Sequence, residues 1–165
     1  PAEEDPMPLT FRPMDEASAR AILCWRYDPP YDVYNLDPDP KGAELGLLLD
    51  PANHYYAVDG EGGDLEAYCS FGLDAQVPGG DYDAAALDIG LGLRPDLTGQ
   101  GRGLVYACKV CDFGRSTFGP AAMRVTVARF NRRARRVWEK AGFRPGQVFE
   151  REPDGLPFVV LTRDV

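Results

Sequence analysis

The stretch that decides the fold is Leu87-Asp88-Ile89-Gly90-Leu91-Gly92-Leu93-Arg94-Pro95-Asp96-Leu97-Thr98-Gly99-Gln100-Gly101-Arg102-Gly103. Apolar residues alternate with small or acidic ones at its start, and this period of two predicts a strand over residues 87–93. Pro95 and Asp96 end the strand. The three final glycines lack Cβ atoms, so the chain can aim several backbone N–H groups at one point. A helix that begins near Gly103 adds unpaired N–H groups and a positive dipole end, so the loop suits a phosphate or pyrophosphate.

The glycine spacing alone also fits an ordinary turn. A dinucleotide-binding fingerprint would need another glycine spacing and an acidic residue about 20 positions further on, where this chain has Phe118-Gly119-Pro120. A P-loop would need Gly-Lys-Ser/Thr, whereas Leu104 follows Gly103. The loop therefore belongs to neither of these two nucleotide-binding motifs.

The length of 165 residues suits one domain that buries about 70% of the surface of the unfolded chain. We expect residues 1–165 to form this domain, with residues 1–8 as an acidic, proline-rich, flexible tail. The tail lacks the basic and apolar regions of a signal peptide. No apolar run approaches the 18 residues or so of a membrane span, so we expect no membrane association.

The four cysteines are Cys24, Cys69, Cys108 and Cys111. Four are too few for a disulfide scaffold in a chain of this size, which predicts a cytoplasmic protein. Cys108 and Cys111 form C-x-x-C, but inside a helical pattern, without a second ligand pair, and His54 is the only histidine. Core packing is the interpretation we favour over zinc or redox chemistry, and we expect no metal.

Charge is divided unevenly along the chain. The net charge of −8 argues against a nucleic-acid partner. Residues 1–93 carry 19 acids and 4 bases, whereas residues 94–144 carry 3 acids and 12 bases. Ordinary solvated surface charge would explain both the acidic first half and the basic second half. The alternative is a polyanionic ligand on the second half and a cationic partner on the first.

The hydropathy pattern predicts further strands and helices around the central strand. The predicted strands cover residues 9–13, 54–59, 65–73, 123–128, 147–150 and 157–161, and the helices cover 16–25, 41–49, 103–115 and 132–140. Residues 54–59 and 65–73 are expected to form a hairpin. Residues 27–35, rich in tyrosine and proline, either line a binding site or cover the core. This order predicts the α+β class with a mostly antiparallel sheet.

Two motifs resemble the signatures of the GNAT (GCN5-related) N-acetyltransferases. Residues 98–103 are similar to that family's acyl-CoA loop, whose pattern is Gln/Arg-x-x-Gly-x-Gly/Ala. The stretch Asn131-Arg132-Arg133-Ala134-Arg135-Arg136-Val137-Trp138-Glu139-Lys140-Ala141-Gly142-Phe143 is similar to its second signature, N-x-x-A-x-x-(aliphatic)-Y-E-K-x-G-F. The resemblance implies an α/β/α fold with a splayed central sheet. It also implies an enzyme that transfers an acetyl group from acetyl-CoA to a primary amine by direct attack.

The chain departs from the family pattern at two positions. Thr98 stands where Gln or Arg is usual. Trp138 stands where the family usually has Tyr, the usual candidate for protonating the departing CoA thiolate. An indole N–H can donate a hydrogen bond but cannot usefully give up its proton. The departure at Trp138 leaves open a rival interpretation, a non-catalytic acyl-CoA-binding sensor or scaffold domain.

The resemblance also implies where acetyl-CoA binds, between the strand over residues 87–93 and the strand that ends at Asn131. Backbone amides after Thr98 would hold the pyrophosphate, and Asn131 would bond the pantetheine arm. Arginines of the following helix would add charge, unless they form only its solvated face. The implied cofactor-binding residues are Leu91, Leu93, Thr98, Gly99, Gln100, Gly101, Arg102, Gly103, Leu104, Asn131, Arg133, Arg136 and Trp138.

The implied catalytic residues are Asp88, Leu91 and Trp138. The backbone N–H near Leu91 would stabilise the oxyanion, in a strand that Gly90 and Gly92 are expected to make irregular. Asp88 is the first candidate for the base, unless it is a structural carboxylate, and Glu66 and Asp83 come next. With Trp138 as a cap, water or a tyrosine such as Tyr106 would protonate the thiolate.

The acidic first half of the chain is the expected acceptor side. The predicted pocket residues are Trp25, Tyr27, Tyr31, Tyr34, Glu66, Ser70 and Phe71. Aromatic walls and negative charge predict a small cationic amine, or a peptide N-terminus or lysine, as the acceptor. Small residues at Gly90 and Gly92 would also admit a longer acyl chain. A monomer and a homodimer are both compatible with the sequence.

Overall fold

A seven-stranded sheet carries the fold in the computed structural model, which describes residues 3–165. The strands are β1 (Thr10–Pro13), β2 (Tyr55–Asp59), β3 (Leu65–Phe71), β4 (Leu87–Leu93), β5 (Ala122–Ala128), β6 (Arg144–Glu150) and β7 (Pro157–Asp164). Their order is β1-β2-β3-β4-β5-β7-β6. Among these described strands only β4 and β5 are parallel neighbours. The predicted α+β class with a mostly antiparallel sheet, including the β2–β3 hairpin, is confirmed.

Four helices cover the sheet: α1 (Glu16–Leu23), α2 (Ala43–Leu49), α3 (Gly103–Phe118) and α4 (Arg132–Lys140). α1 and α2 pack with Tyr68 on one face, whereas α3 and α4 pack on the face of Ala67, Cys69 and Phe71. Successive residues of a strand point to opposite faces, so β3 serves both layers. The result is the expected α/β/α arrangement.

The ends of some elements differ from the prediction for local reasons. α3 continues past residue 115 until Gly119 adopts a left-handed conformation, with φ 58°, that glycine tolerates at a helix end. β6 begins at Arg144 and includes Pro145, which is compatible with an edge strand because its missing N–H is not needed there. Residues Tyr31–Tyr34 form a short 3-10 turn inside the predicted loop.

β4 and β5 pair over only two residues before they separate. Leu87 faces Met123 and Asp88 faces Arg124. Beyond this point β4 stays paired with β3 through Leu93, and β5 stays paired with β7 through Ala128. The sheet therefore opens into a V whose arms are residues 89–93 and 125–128.

Gly90 and Gly92 do not make β4 irregular, so that prediction was wrong. The β3–β4 register runs without a shift from Phe71 opposite Ile89 to Ala67 opposite Leu93. An added Cβ would lie 2.6 Å from the Ser70 hydroxyl oxygen at Gly90, and 2.3 Å from a Tyr68 ring carbon at Gly92. The glycines thus make room for the Ser70 and Tyr68 side chains of β3.

Four further features bear on the predictions. Cys111 packs in the core and Cys108 is exposed, and both thiols are free. Among residues 3–165, no group of three or more His, Cys, Asp or Glu could hold a metal ion. Over the same residues, no helix has the length and apolar character needed to cross a membrane. Part of the predicted tail lies against α3, where Lys109 bonds Asp5 and the Met7 carbonyl, while residues 1–2 fall outside the described residues.

Candidate active site

A cavity of about 550 Å³ fills the V between β4 and β5. The two arms, the loop after β4, the start of α4 and residues 27–34 supply its walls. Most of the predicted cofactor-binding residues line it: Leu91, Leu93, Thr98, Gly99, Gly101, Gly103, Leu104, Asn131, Arg133, Arg136 and Trp138. The structure therefore brings two distant sequence motifs together around one space.

The loop at the end of β4 presents a row of unused backbone donors. Gly99 and Gly101 have φ values of 71° and 74°, and Arg102 is helical at the N-cap of α3, without a side-chain cap. In the part of the chain that the structure describes, no backbone N–H of residues 99–104 donates a hydrogen bond to a protein acceptor. Alternating left- and right-handed residues before a helix N-terminus form a concave site for an anion.

Two of the four arginines near the start of α4 face this loop. Arg133 reaches it directly: its Nη1 lies 3.0 Å from the position that a Cβ of Gly99 would occupy. Arg136 also lines the cavity. Arg135 turns away and bonds the Arg129 carbonyl oxygen, and Arg132 is exposed. Helical phase thus turns two of these four arginines toward the cavity, which Lys140 of the same helix also lines.

Two predicted cofactor-binding side chains point elsewhere. Arg102 lies 3.7 Å from the Glu66 carboxylate and 3.7 Å from the Met7 sulfur, and its guanidinium sits over the Tyr106 ring. The Gln100 amide bonds the Asp96 carbonyl oxygen at 2.6 Å. Only the backbone N–H groups of Arg102 and Gln100 remain available to a ligand at the loop.

The backbone of β4 offers polar groups to the cavity at every second residue. The Asp88 carbonyl accepts from Gly72 N–H at 2.9 Å, and the Arg94 N–H donates to the Glu66 carbonyl at 2.8 Å, so even-numbered residues bond β3. In an antiparallel pair each residue points its N–H and C=O to the same side, and consecutive residues alternate sides. The odd-numbered residues of β4 therefore point these two groups away from β3. The N–H and C=O of Leu91 and the N–H of Leu93 therefore face the open V beyond the last residue pair with β5, whereas the Leu93 carbonyl accepts from the Tyr27 hydroxyl at 2.6 Å.

None of the carboxylates predicted as the base lines the cavity. Asp88 is 5% exposed and bound to Arg124 through bonds of 2.6 and 2.8 Å, so its lone pairs are committed to a buried cation. Glu66 accepts from the Tyr106 hydroxyl at 2.5 Å, and Asp83 is exposed. Among the residues that line the cavity there is no aspartate or glutamate. The prediction of Asp88, with Glu66 or Asp83 next, does not fit this geometry.

Trp138 and Tyr106 differ in their relation to the cavity. Trp138 is 5% exposed, packs edge-on against Phe143 at a centroid distance of 5.1 Å, and lines the cavity. Tyr106 is fully buried and donates its proton to Glu66. Tyr106 does not line the cavity, so it cannot supply a proton there as we had expected.

The predicted acceptor residues divide into two groups. Tyr27, Tyr31 and Tyr34 line the cavity. The others do not: Trp25 packs against the Tyr68 ring, Phe71 is fully buried among Phe113 and Phe118, and Ser70 lies under Gly90. Glu66 is on the far side with Tyr106. The prediction of Trp25, Phe71, Ser70 and Glu66 as pocket walls does not fit the structure.

Tyr68 is a cavity residue that the sequence did not reveal. Its ring lies across β4 at Gly92, where only a glycine leaves room. Burial raises the pKa of Tyr68 to about 12, and the nearby Glu44 and Asp74 carboxylates add to this effect. Asp74 in turn accepts from the Tyr55 hydroxyl. A neutral phenol with two carboxylates behind it therefore borders the cavity on the α1–α2 side.

A family model for the acetyltransferase (GNAT) domain matches residues 9–144. The chain belongs to the GNAT family of acetyltransferases. This membership confirms the resemblance that the two motifs gave. No curated protein matches the chain significantly.

Solved GNAT structures share the fold of this chain at low sequence identity. A chimera of the Vibrio cholerae spermidine N-acetyltransferase and hSSAT is 16% identical, with a TM-score of 0.73, and the match covers 94% of this chain and 95% of that one. The Vibrio cholerae spermidine N-acetyltransferase in complex with CoA and spermine is 17% identical, with a TM-score of 0.72 and the same two coverages. The seven-stranded open sheet is thus that of the GNAT fold.

Proposed function

We propose that this GNAT protein transfers an acetyl group from acetyl-CoA to a primary amine. The observation that carries the proposal is the V between β4 and β5, with the donor row of residues 99–104 at one end and unpaired β4 backbone beside it. Acetyl-CoA is an extended thioester with an anionic pyrophosphate, so its pyrophosphate would meet the loop while its thioester lies beside β4. Family membership supports the acetyltransferase class.

The donor would lie along the V with its pyrophosphate on the loop. The free N–H groups of residues 99–104 and the dipole of α3 would bind phosphate oxygens, and Arg133 and Arg136 would add charge. Asn131 has one amide N–H committed to Tyr34, and its second N–H is available to the pantetheine arm. Thr98 would contribute through its position, because its hydroxyl already bonds the Pro95 carbonyl at 2.7 Å.

The reaction would be direct attack of the neutral amine on the thioester carbonyl. The N–H of Leu91, which points into the V, would stabilise the oxyanion. Because the described residues that line the cavity include no carboxylate, the proton of the amine would leave through water. Trp138 would close the apolar end of the pocket.

We propose a small cationic amine as the acceptor, with a peptide N-terminus or lysine as the broader class. Tyr68 and Tyr27 form the aromatic border on the α1–α2 side, and Glu44 and Asp74 lie close enough to Tyr68 to raise its pKa. A cation is attracted to both kinds of group. Spermidine and spermine, named with the similar structures, are amines of this kind.

The rival interpretation, a non-catalytic acyl-CoA-binding domain, is not favoured. Its one support was Trp138, and a thiolate with a pKa near 8.5 can leave with less help than an alkoxide. The open acceptor side of the cavity, bordered by Tyr27 and Tyr68, has no purpose in a domain that only binds the donor. Turnover is therefore the property to measure.

The experiment measures thermal stability with acetyl-CoA and release of free thiol with a panel of amines. Acetyl-CoA at 100 times its Kd should add about 2.7 kcal/mol, which corresponds to roughly 5–10 °C in a protein of this size. The variant Gln100→Glu should reduce the shift, because it places a carboxylate at the anion loop. Gln100 is chosen because Gly99 and Gly101 have positive φ values, where any side chain strains the backbone.

The matched control is Ser116→Glu, which adds the same charge near the other end of α3, at an exposed position. It should keep the wild-type shift. Binding without thiol release on any amine would contradict the acetyltransferase proposal. An equal shift in Gln100→Glu and wild-type protein would contradict the assignment of the loop.

A further inference from the structure

The hydroxyl group of Tyr68 has no hydrogen-bond partner among residues 3–165, although neighbouring aromatic rings hold its side chain. Tyr68 is half-buried and lines the cavity. Its ring lies against Trp25 and Tyr55 at centroid distances of 5.9 and 6.2 Å. Polar groups that are withdrawn from water are normally hydrogen-bonded, so an unpaired hydroxyl in a cavity marks a place where a ligand or water binds.

The other phenols that line the cavity are placed differently. Tyr27 donates to a carbonyl oxygen of β4 at 2.6 Å, and Tyr34 accepts from the N-cap amide of α4 at 3.1 Å. The ring of Tyr31 lies 4.1 Å from the Arg133 guanidinium, next to the anion loop. Among the described residues, Tyr68 is therefore the phenol whose hydroxyl is free beside β4.

The Tyr68 hydroxyl lies next to the part of β4 whose backbone is open to the cavity. Tyr68 pairs with Gly92 across β3 and β4, and its oxygen lies 2.8 Å from the position that a Cβ of Gly92 would occupy. Leu91 is the next residue of β4, with its Cα about 3.8 Å from that of Gly92. The phenol oxygen and the N–H proposed for the oxyanion are therefore neighbours along one strand.

The phenol oxygen can accept a hydrogen bond from an amine here, but it cannot act as a base. Burial raises the pKa of Tyr68 to about 12, and Glu44 and Asp74 add to this effect, so the phenol is protonated near neutral pH. A phenol proton given to the amine nitrogen would occupy the lone pair that attacks the thioester. The productive contact therefore runs from an amine N–H to the Tyr68 oxygen.

This contact distinguishes amines by their number of N–H groups. A neutral primary amine has two, so one can bond the Tyr68 oxygen while the other is released to water after attack. A neutral secondary amine has one, which cannot be held by the phenol and passed to water at the same time. A protein that uses this contact should therefore favour primary amines.

We propose that Tyr68 binds the acceptor nitrogen and selects primary over secondary amines. This role rests on the proposed acetyl transfer. The nitrogen lone pair forms the C–N bond at the thioester carbonyl, and the C–S bond breaks. Water takes the amine proton that Tyr68 does not hold, the CoA thiolate takes a proton from water, and Tyr68 keeps its own proton throughout.

The test compares one primary amine of the panel with its N-methyl derivative, with enough enzyme for slow turnover to register. Wild-type protein should prefer the primary amine. Tyr68→Phe should lower kcat/KM for the primary amine by roughly threefold to tenfold, the contribution of one hydrogen bond, and change it for the N-methyl amine by no more than about twofold. The variant should fold, because the hydroxyl that it removes has no partner among the described residues.

Tyr56→Phe is the matched control, since it removes the same hydroxyl from a ring that packs against Phe71 and Phe113 and does not line the cavity. It should keep the wild-type kcat/KM for both amines. The stabilisation by acetyl-CoA should be the same in Tyr68→Phe and wild-type protein, because Tyr68 is not part of the anion loop.

Turnover and selectivity can fail separately in this experiment. Wild-type protein that binds acetyl-CoA but acetylates no amine would overturn the proposed function, and the role of Tyr68 with it. An active wild type that uses both amines equally well would overturn the role of Tyr68 alone. An active wild type whose Tyr68→Phe variant keeps the same preference, or loses activity equally on both amines, would also overturn it.

Discussion

Asp88 and Arg124 form a buried ion pair at the last residue pair that β4 and β5 share. The two bonds are 2.6 and 2.8 Å long, and Arg124 also donates to the Ala84 carbonyl at 2.8 Å. The pair fixes the point at which the strands diverge. The vertex of the V is therefore held by charge rather than by further strand pairing.

Removing one partner of this pair should destabilise the protein strongly. Asp88→Asn leaves the Arg124 cation without its counter-charge, which costs about 3 kcal/mol or more and lowers Tm by roughly 6–12 °C. The control is Asp154→Asn, which breaks an exposed pair with Arg151 and should cost no more than about 1 kcal/mol. Calorimetry of both variants measures the difference. Equal melting temperatures would contradict the structural role of Asp88.

Two matched Gly→Ala substitutions should change the free energy of unfolding in opposite directions. Gly92→Ala places a Cβ 2.3 Å from the Tyr68 ring, and such overpacking costs about 1–3 kcal/mol. Gly46→Ala lies in α2, where an added Cβ meets nothing within 4 Å, and should stabilise the protein by about 0.5–1 kcal/mol. Urea unfolding of the two variants gives both values. If Gly92→Ala is neutral, Tyr68 is not held across β4.

Asp74 should matter for the capture of a cationic acceptor. Asp74→Asn removes a charge behind Tyr68 and should raise KM for a cationic amine by roughly threefold to tenfold, equivalent to about 1 kcal/mol. kcat should change less, because Asp74 does not line the cavity. Added salt should narrow the difference in KM between the variant and the wild-type protein, because it screens the charge of Asp74.

The control for this prediction is Glu61→Gln, which removes an exposed carboxylate in the turn between β2 and β3. Its KM should equal the wild-type value. If Asp74→Asn raises KM equally for a neutral hydroxylamine-type acceptor and for a polyamine, the charge of Asp74 is not what attracts the acceptor.

The four cysteines should react in two classes in the folded protein. Cys24 and Cys108 are exposed, whereas Cys69 and Cys111 are buried. Burial raises the pKa of Cys111 to about 12, and that of Cys69 also rises well above its ordinary value. Thiols with raised pKa stay protonated at pH 8 and do not alkylate. Iodoacetamide should therefore label Cys24 and Cys108 in native protein, and all four after unfolding, as read by mass spectrometry. Joint labelling of Cys108 and Cys111 would contradict the core position of Cys111.

The sequence revealed the elements and the motifs but not which side chains meet. The period-two pattern predicted β4 over the residues observed, and α4 likewise has the predicted bounds. Asp88 was misassigned because alternation shows the face of a strand and not what lies beside it, here Arg124 on β5. Tyr68 was missed because its exposure to the cavity depends on its pairing with Gly92. The choice of Arg133 over Arg132 depends on the helical phase of α4 relative to the loop. Local patterns therefore locate a site, and strand pairing and helix docking select its members.

Tyr27 and Tyr34 join opposite arms of the V to one segment of chain. Tyr27 donates to the Leu93 carbonyl on β4 at 2.6 Å, and Asn131, just beyond β5, donates to Tyr34 at 3.1 Å. A donor that bonds the Leu93 carbonyl or the same Asn131 N–H must therefore displace a tyrosine hydroxyl from it. The free energy needed to break such a bond lowers the apparent affinity for the donor. These two hydrogen bonds tie both arms of the V through residues 27–34 and set how readily the cofactor enters and leaves.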